Sequence, residues 1–208
     1  MKERLNQISG LTLYGAGGHC KVVMDILECM GEKIDFVVDD NPPDSSFRLV
    51  PCKLPDGCFD RVIITIGDCN IRKDISRKIK VNRYLTALHP SAIISPHCFV
   101  GDGTVIMPGV IINSDVIIGK HCIINTKSSV DHECRVADFV HIAPGATLSG
   151  NVDIGECSWI GVGTCVKQGI KIGSNCIIGA GSVVVRNIPD NVIAYGNPCK
   201  VIKQNKLN

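Results

Sequence analysis

Residues 117–148 read IIGKHCIINTKSSVDHECRVADFVHIAPGATL, and every sixth position from Ile118 is a branched aliphatic: Ile118, Ile124, Val130, Val136, Ile142, Leu148. The beat continues to Ile112, Ile106, Val100 and Ile94 on one side. On the other it runs through Ile154, Ile160, Val166, Ile172 and Ile178 to Val184, sixteen positions without a gap. The position four later is restricted too, and most of its occupants are small, such as Thr104, Cys122, Ser128, Cys134, Ala146, Ser158 and Ser182. Glycine often follows the aliphatic (Gly101, Gly119, Gly155, Gly161, Gly173, Gly179), as a tight turn with positive φ would require.

A strict short repeat means that each unit cannot bury its own apolar face and must stack on its neighbours. One hexad makes a short strand and a turn, three hexads make a triangular coil, and each inward aliphatic meets its equivalent eighteen residues on. The sixteen hexads give about five coils. No helical period interrupts residues 92 to 187. The segment therefore reads as a left-handed parallel β-helix occupying a domain of residues 87–208, and the chain as mainly β.

Residues 1–86 carry a different pattern. Leu11 to Gly15 is a short apolar strand, followed by the glycine turn Gly15-Ala-Gly-Gly-His19. Helical spacing then appears at Val22, Val23, Ile26, Leu27 and Met30. A second strand, Ile34 to Val38, ends in Asp39–Asp40; a third, Arg61 to Ile66, ends at Gly67; Asn70 to Lys80 reads as a helix. This is a small Rossmann-like α/β domain, whose ligands bind beyond the carboxyl ends of its strands. Backbone N–H groups of a Gly-rich turn at a helix start can hold phosphate, and an acid about 20 residues on can bind ribose. The dinucleotide fingerprint is incomplete, with Cys20 where its last glycine belongs, so a plain structural turn is the competing reading.

Composition narrows the function. Lysine and arginine number 22 against 20 acids, a balance that favours neither nucleic acid nor an anionic membrane surface. No apolar run is long enough to span a bilayer, and the opening MKERLNQ is too polar for a signal peptide, so a cytoplasmic protein is expected. The twelve cysteines show no C-x-x-C pair; they read as reduced thiols filling the core, with no metal expected.

Among the six histidines, His132 stands out in Val130-Asp-His-Glu-Cys134. A neighbouring carboxylate can fix an imidazole's tautomer and raise its basicity, as a general base needs. The competing reading is that histidines on solvated turns are idle, and it is the favoured one for His97 and His121.

Several motifs then occur together and in order: Y-G-A-G-G-H with K-V-V following, V-V-D-D at Val37 to Asp40, I-G-D-C-N-I-R at Ile66 to Arg72, and H-P-S-A at His89. I-I-N-T from Ile123, V-D-H-E-C, H-I-A-P-G-A-T-L-S-G-N-V from His141 and G-N-P-C-K-V-I at Gly196 to Ile202 complete the set. In these the chain resembles, nearly end to end, a bacterial family of sugar acetyltransferases, the sialic acid O-acetyltransferase (NeuD) and UDP-4-amino-sugar N-acetyltransferase (PglD) type. Cys199 stands where that family usually has alanine, and Cys20 where it has glycine.

The resemblance implies an acetyl-CoA-dependent enzyme that transfers directly to a nucleotide-sugar. His132 would be the general base and Glu133 its orienting partner. His141, Val162 and Ala180 would meet acetyl-CoA. Gly17, Gly18, His19, Asp39, Asp40, Gly67 and Asn125 would face the nucleotide-sugar. It also implies a homotrimer with acetyl-CoA in the groove between neighbouring prisms. A UDP-4-amino-sugar leads as acceptor, with O-acetylation of a sialic acid or N-acetylation of a GDP-linked, perosamine-type sugar as alternatives. Two rivals stand outside this reading. A γ-type carbonic anhydrase would need an H-x-x-x-x-H pair, which the chain lacks; a sugar-nucleotide-binding scaffold would bind acetyl-CoA without turnover.

Overall fold

The computed structural model describes residues 7–206, so most of the polar opening stretch lies outside the described residues. From Ala87 onward the chain winds as a left-handed, three-sided parallel β-helix. Its first face stacks the strand pairs Ala87–Leu88, Val105–Ile106, Ile123–Ile124, His141–Ile142, Trp159–Ile160 and Ile177–Ile178. The second face runs from Ile93–Ile94 to Val183–Val184, and the third from Phe99–Val100 to Lys171–Ile172.

The eighteen-residue register holds coil after coil. Ile106 pairs with Ile124, Ile124 with Ile142, Ile142 with Ile160, and Ile160 with Ile178. All five are fully buried, as are the small residues Thr104, Cys122, Ser128, Cys134, Ala146, Ser158 and Ser182 of the companion column. Ile94 and Val100 are only partly covered, because the coil they belong to is at the open end of the stack. The column begins one hexad earlier than the aliphatic run suggests, with Ala87–Leu88 pairing Val105–Ile106. It ends in Val192–Tyr195, which pairs with Ile177–Ile178 and folds back antiparallel onto Lys200–Gln204.

The glycines after the aliphatics have a different cause from the expected one. None of them has positive φ; the left-handed position lies two residues further on, at every sixth residue from Gly103 to Gly181. The expected glycines are instead forced by coil-to-coil contact. A Cβ on Gly101 would stand 2.7 Å from the Gly119 backbone, and one on Gly161 would stand 2.4 Å from the Ile178 carbonyl. The chain needs a missing side chain there, not a rare backbone angle.

Ahead of the prism, β1 (Gln7–Tyr14), α1 (Gly18–Cys29), β2 (Phe36–Val38), β3 (Ser46–Phe47), β4 (Val50–Lys53), β5 (Cys58–Ile64), α2 (Cys69–Lys78) and β6 (Lys80–Tyr84) form one sheet with two helices. The strand order is β3-β4-β2-β1-β5-β6, parallel except for the β3–β4 hairpin. Helix α1 packs on the first face of the prism, against Ala87–Leu88. Leu11, Leu13, Val23, Ile26 and Leu27 share one continuous apolar core with the coil residues, so the two parts are not joined by a bare linker. All twelve cysteines are free, most of them buried. Among the described residues no helix is long and apolar enough to cross a membrane, and no cluster of side chains could hold a metal ion.

Candidate active site

The two halves meet where the β5–α2 loop and the start of α1 face the first side of the prism. His141 is an outward position on the strand His141–Ile142, yet it is only 6% exposed. Its Nδ1 lies 3.3 Å from the Gly67 carbonyl, and its Nε2 lies 3.0 Å from Nδ2 of Asn125, one coil away. Oδ1 of Asn125 accepts the Thr126 N–H at 2.8 Å, which fixes which end of the amide faces the ring. Asn125 therefore donates to Nε2, and the imidazole proton sits on Nδ1, donating to Gly67. Burial, reinforced by the nearby Arg72 guanidinium, lowers the His141 pKa to about 4, so the ring is neutral at pH 7. Trp159, one coil on, covers the ring at 4.3 Å between centroids.

His19 enters the same junction from the first turn of α1. Burial, then the proximity of His141 and Arg72, lowers its pKa to about 3, and its Nε2 is buried without a hydrogen-bond partner among the described residues. The helix start beside it is open. Gly17 caps α1 with no side-chain hydrogen bond, and Gly17 and Gly18 have nothing within 4 Å of where a Cβ would stand. Across the sheet end, Asp39 accepts the Ala16 N–H at 2.7 Å and the Asn41 N–H at 2.9 Å, and Asp40 accepts the Tyr14 hydroxyl at 2.7 Å. Both carboxylates thus sit beside the glycine turn, where an acid and a phosphate-cradling loop belong in such a sheet.

Gly67, His19, Asn125 and His141 are therefore brought together, with the glycine turn and the two aspartates along the same sheet end. Val162 and Ala180 sit in the turn between the first and second faces, the corner that also holds Asn125. Val162 is 53% exposed, and Gly145, Gly163 and Gly181 of this corner have open space over Cα. A ribbon of uncovered main chain with an exposed valine suits a long, thin, partly apolar ligand such as a pantetheine arm.

His132 and Glu133 are not part of that cluster within one chain. They occupy the turn between the second and third faces, a different corner of the prism. There the Glu133 carboxylate accepts from Nδ1 of His132 at 3.0 Å, which leaves Nε2 as the lone-pair nitrogen. Asp131 accepts the His132 N–H at 2.8 Å and an Asn113 N–H at 2.7 Å, closing the turn. A groove of about 490 Å³ beside His132 is lined by Ile93, Pro96, Asn113 and Ser114. A larger concavity, about 810 Å³, runs along the third face past Arg135, Asp153 and Lys171 and touches none of the candidate residues.

His121, expected on a solvated turn, is buried at 4% exposure between Tyr84 and Phe139, and burial lowers its pKa to about 4. It is a packing residue. Arg72 closes the I-G-D-C-N-I-R motif with no role legible in the sequence, and the structure places it in the centre of the junction. The sequence signal for it is an arginine at helical spacing between Cys69 and Ile75, the two other buried residues of α2.

The N-terminal residues 10–79 match the PglD N-terminal domain, and residues 97–130 and 151–186 match the bacterial transferase hexapeptide repeats. GDP-perosamine N-acetyltransferase of Escherichia coli O157:H7 is 34% identical over 149 residues, 68% of this chain and 67% of that protein. A mutant of perosamine N-acetyltransferase from Caulobacter crescentus, solved with CoA and GDP-perosamine, is 38% identical with a TM-score of 0.89, covering 95% of this chain and 98% of that one. The chain belongs to the hexapeptide-repeat sugar acetyltransferases. The acetyltransferase domain of PglB from Neisseria gonorrhoeae, solved with acetyl coenzyme A, is a second member at 34% identity and a TM-score of 0.83, covering 92% and 98%. Both solved relatives span this chain almost entirely, α/β domain and prism together, so the resemblance is not confined to the repeat.

Proposed function

We propose that this protein moves the acetyl group of acetyl-CoA onto the amine of a nucleotide-linked amino-sugar, a GDP-linked 4-amino sugar of the perosamine type being the leading acceptor. The observation that carries this is a near full-length relative holding CoA and GDP-perosamine, combined with a site here that has a base, a neutral polar cluster and a phosphate-cradling turn. Of the acceptors the sequence left open, the GDP-linked sugar takes the lead from the UDP-linked one on that ground.

The geometry supports the following chemistry. His132, held by Glu133 with Nε2 free, takes a proton from the sugar amine as its nitrogen attacks the thioester carbonyl. The C–N bond forms, the C–S bond breaks, and the imidazolium returns its proton to the departing thiolate. Glu133 stabilises that imidazolium. The neutral cluster of Asn125 and His141 polarises the thioester end, and Val162 and Ala180 present main chain to the pantetheine arm. Residues 1–86, through Gly17, Gly18, His19, Asp39, Asp40 and Gly67, hold the nucleotide-sugar, while residues 87–208 hold the acetyl donor.

His132 and the Asn125–His141 cluster stand on different corners of one prism, so a single chain does not complete the site. A cyclic homotrimer brings one copy's second corner to its neighbour's first and places three sites in the grooves between them. The test is thiol release from acetyl-CoA with GDP-, UDP- and CMP-linked sugars in parallel. Release fastest with the GDP-linked 4-amino sugar supports the reading. Release only with the UDP-linked amine reverses the order of acceptors, and release with a sialic acid moves the reaction to oxygen. CoA binding with no release on any acceptor makes the protein a scaffold.

A further inference from the structure

Arg72 is 1% exposed and has no carboxylate partner among the described residues. An unpaired buried cation is strongly destabilising unless its donors find partners, and here carbonyl oxygens take four of the five guanidinium N–H groups. Nε donates to His121 at 2.7 Å, and Nη2 donates to Phe139 at 2.8 Å, both in the prism. Nη1 donates to Ile66 at 2.7 Å and Gly67 at 2.9 Å, in the loop beyond β5. The fork therefore clasps that loop to two successive coils.

The Gly67 carbonyl that Arg72 holds is also the acceptor for Nδ1–H of His141. We infer that Arg72 is a positioning residue: by pinning the Gly67 carbonyl it fixes the His141 tautomer, so that Nε2 always meets Asn125 as an acceptor. Donation then converges on one oxygen: the Asn125 amide donates to Nε2 of His141, Nδ1–H of His141 donates to the Gly67 carbonyl, and Arg72 donates to that same carbonyl from the other side. Asn125 is left with one N–H and a fixed orientation to offer the site. This inference rests on the acetyl-transfer reading only for its effect on rate; the hydrogen-bond relay stands without it.

The charged and titratable groups around His141 are Arg72 and Cys69 from α2 and His19 from α1. None is an anion that would favour an imidazolium, so ring orientation depends on the two hydrogen bonds. Lysine cannot replace the fork, because its single ammonium reaches one segment and not three.

The test is histidine-labelled protein read by long-range proton–nitrogen NMR, with kcat measured alongside. The wild type is expected to show His141 neutral, in the single Nδ1–H form, from pH 7.5 down to 5. R72K and R72M are expected to show mixed tautomers and a kcat lower by about 10- to 100-fold, the range a misplaced group commands. If R72M fails to fold, R72K and the wild-type spectrum decide. A wild-type His141 in the Nε2–H form overturns the inference. So does a folded variant that keeps the pure Nδ1–H form and full kcat, which would make Arg72 a stitch between domains and nothing more. The spectra need no substrate, so the tautomer is read equally well if no sugar is acetylated.

Discussion

The imidazole of His132 packs directly against the bare main chain of Gly150, eighteen residues on, where an added Cβ would stand 2.5 Å from Cε1 and 2.6 Å from Nε2. Gly150 does not have positive φ, so alanine fits its backbone but not its surroundings. It is also the one glycine among the sixteen residues that stand two after the inward aliphatic. Gly150→Ala is expected to push the ring aside and lower kcat by about 10²-fold, as a displacement of ångström scale does, with the thermal midpoint near wild type. Gln168→Ala, on the same corner one coil further, is the control and should keep full activity. Unchanged kcat in Gly150→Ala would show that the observed ring position is not the working one.

His132→Ala removes the proposed base outright. A loss of roughly 10²–10⁴-fold in kcat is expected, with the oligomer unchanged by light scattering. Wild-type turnover would take His132 out of the mechanism.

Glu133 has φ +60, a left-handed position that asparagine occupies in the turns at Asn151, Asn175 and Asn191. A glutamate there costs about 1 kcal/mol that asparagine largely avoids. Glu133→Asn is therefore expected to raise the thermal midpoint while lowering kcat, because the partner of Nδ1 is lost. A variant both less stable and fully active would contradict the assignment of Glu133 to chemistry over packing.

Three buried histidines set an acid dependence. His19, His121 and His141 have folded pKa values lowered by burial to about 3, 4 and 4. Below pH 6.5 the unfolded chain binds these protons and the folded one does not, so stability falls as pH drops from about 6.5 towards 4. Each histidine contributes up to about 1.4 kcal/mol per pH unit in that window. The thermal midpoint is expected to fall already between pH 6.5 and 5.5, ahead of most carboxylate titration, and His121→Phe should flatten the slope. A midpoint flat down to pH 5 would mean these rings are protonated in the folded protein.

The prism was legible because its signal is redundant: sixteen aliphatics and their small companions each point inward, and Ile106 to Ile178 stack as that pattern demands. The hairpin of Ser46–Phe47 and Val50–Lys53 was not, since its segment carries prolines and no alternation, and its turn needs positive φ at Arg48 and Leu49. Lys80–Tyr84 is an edge strand that pairs with β5 alone among the described strands, so its exposed face shows no apolar period. The hydrogen bond between His132 and Glu133 could be read from their adjacency in the chain. Arg72 and Gly150 could not, because one acts across 49 and 67 residues and the other through an absent side chain.

The proposed mechanism requires that His132 and the Asn125–His141 cluster of one site come from different copies, and mixed oligomers decide whether they do. His132→Ala and Asn125→Ala, each nearly inactive alone, are unfolded and refolded together. A site between copies predicts recovery to about a quarter of the wild-type rate, since one interface in four then pairs an intact His132 with an intact Asn125. Activity no higher than the sum of the separate variants would place both residues at one chain's site and contradict the account.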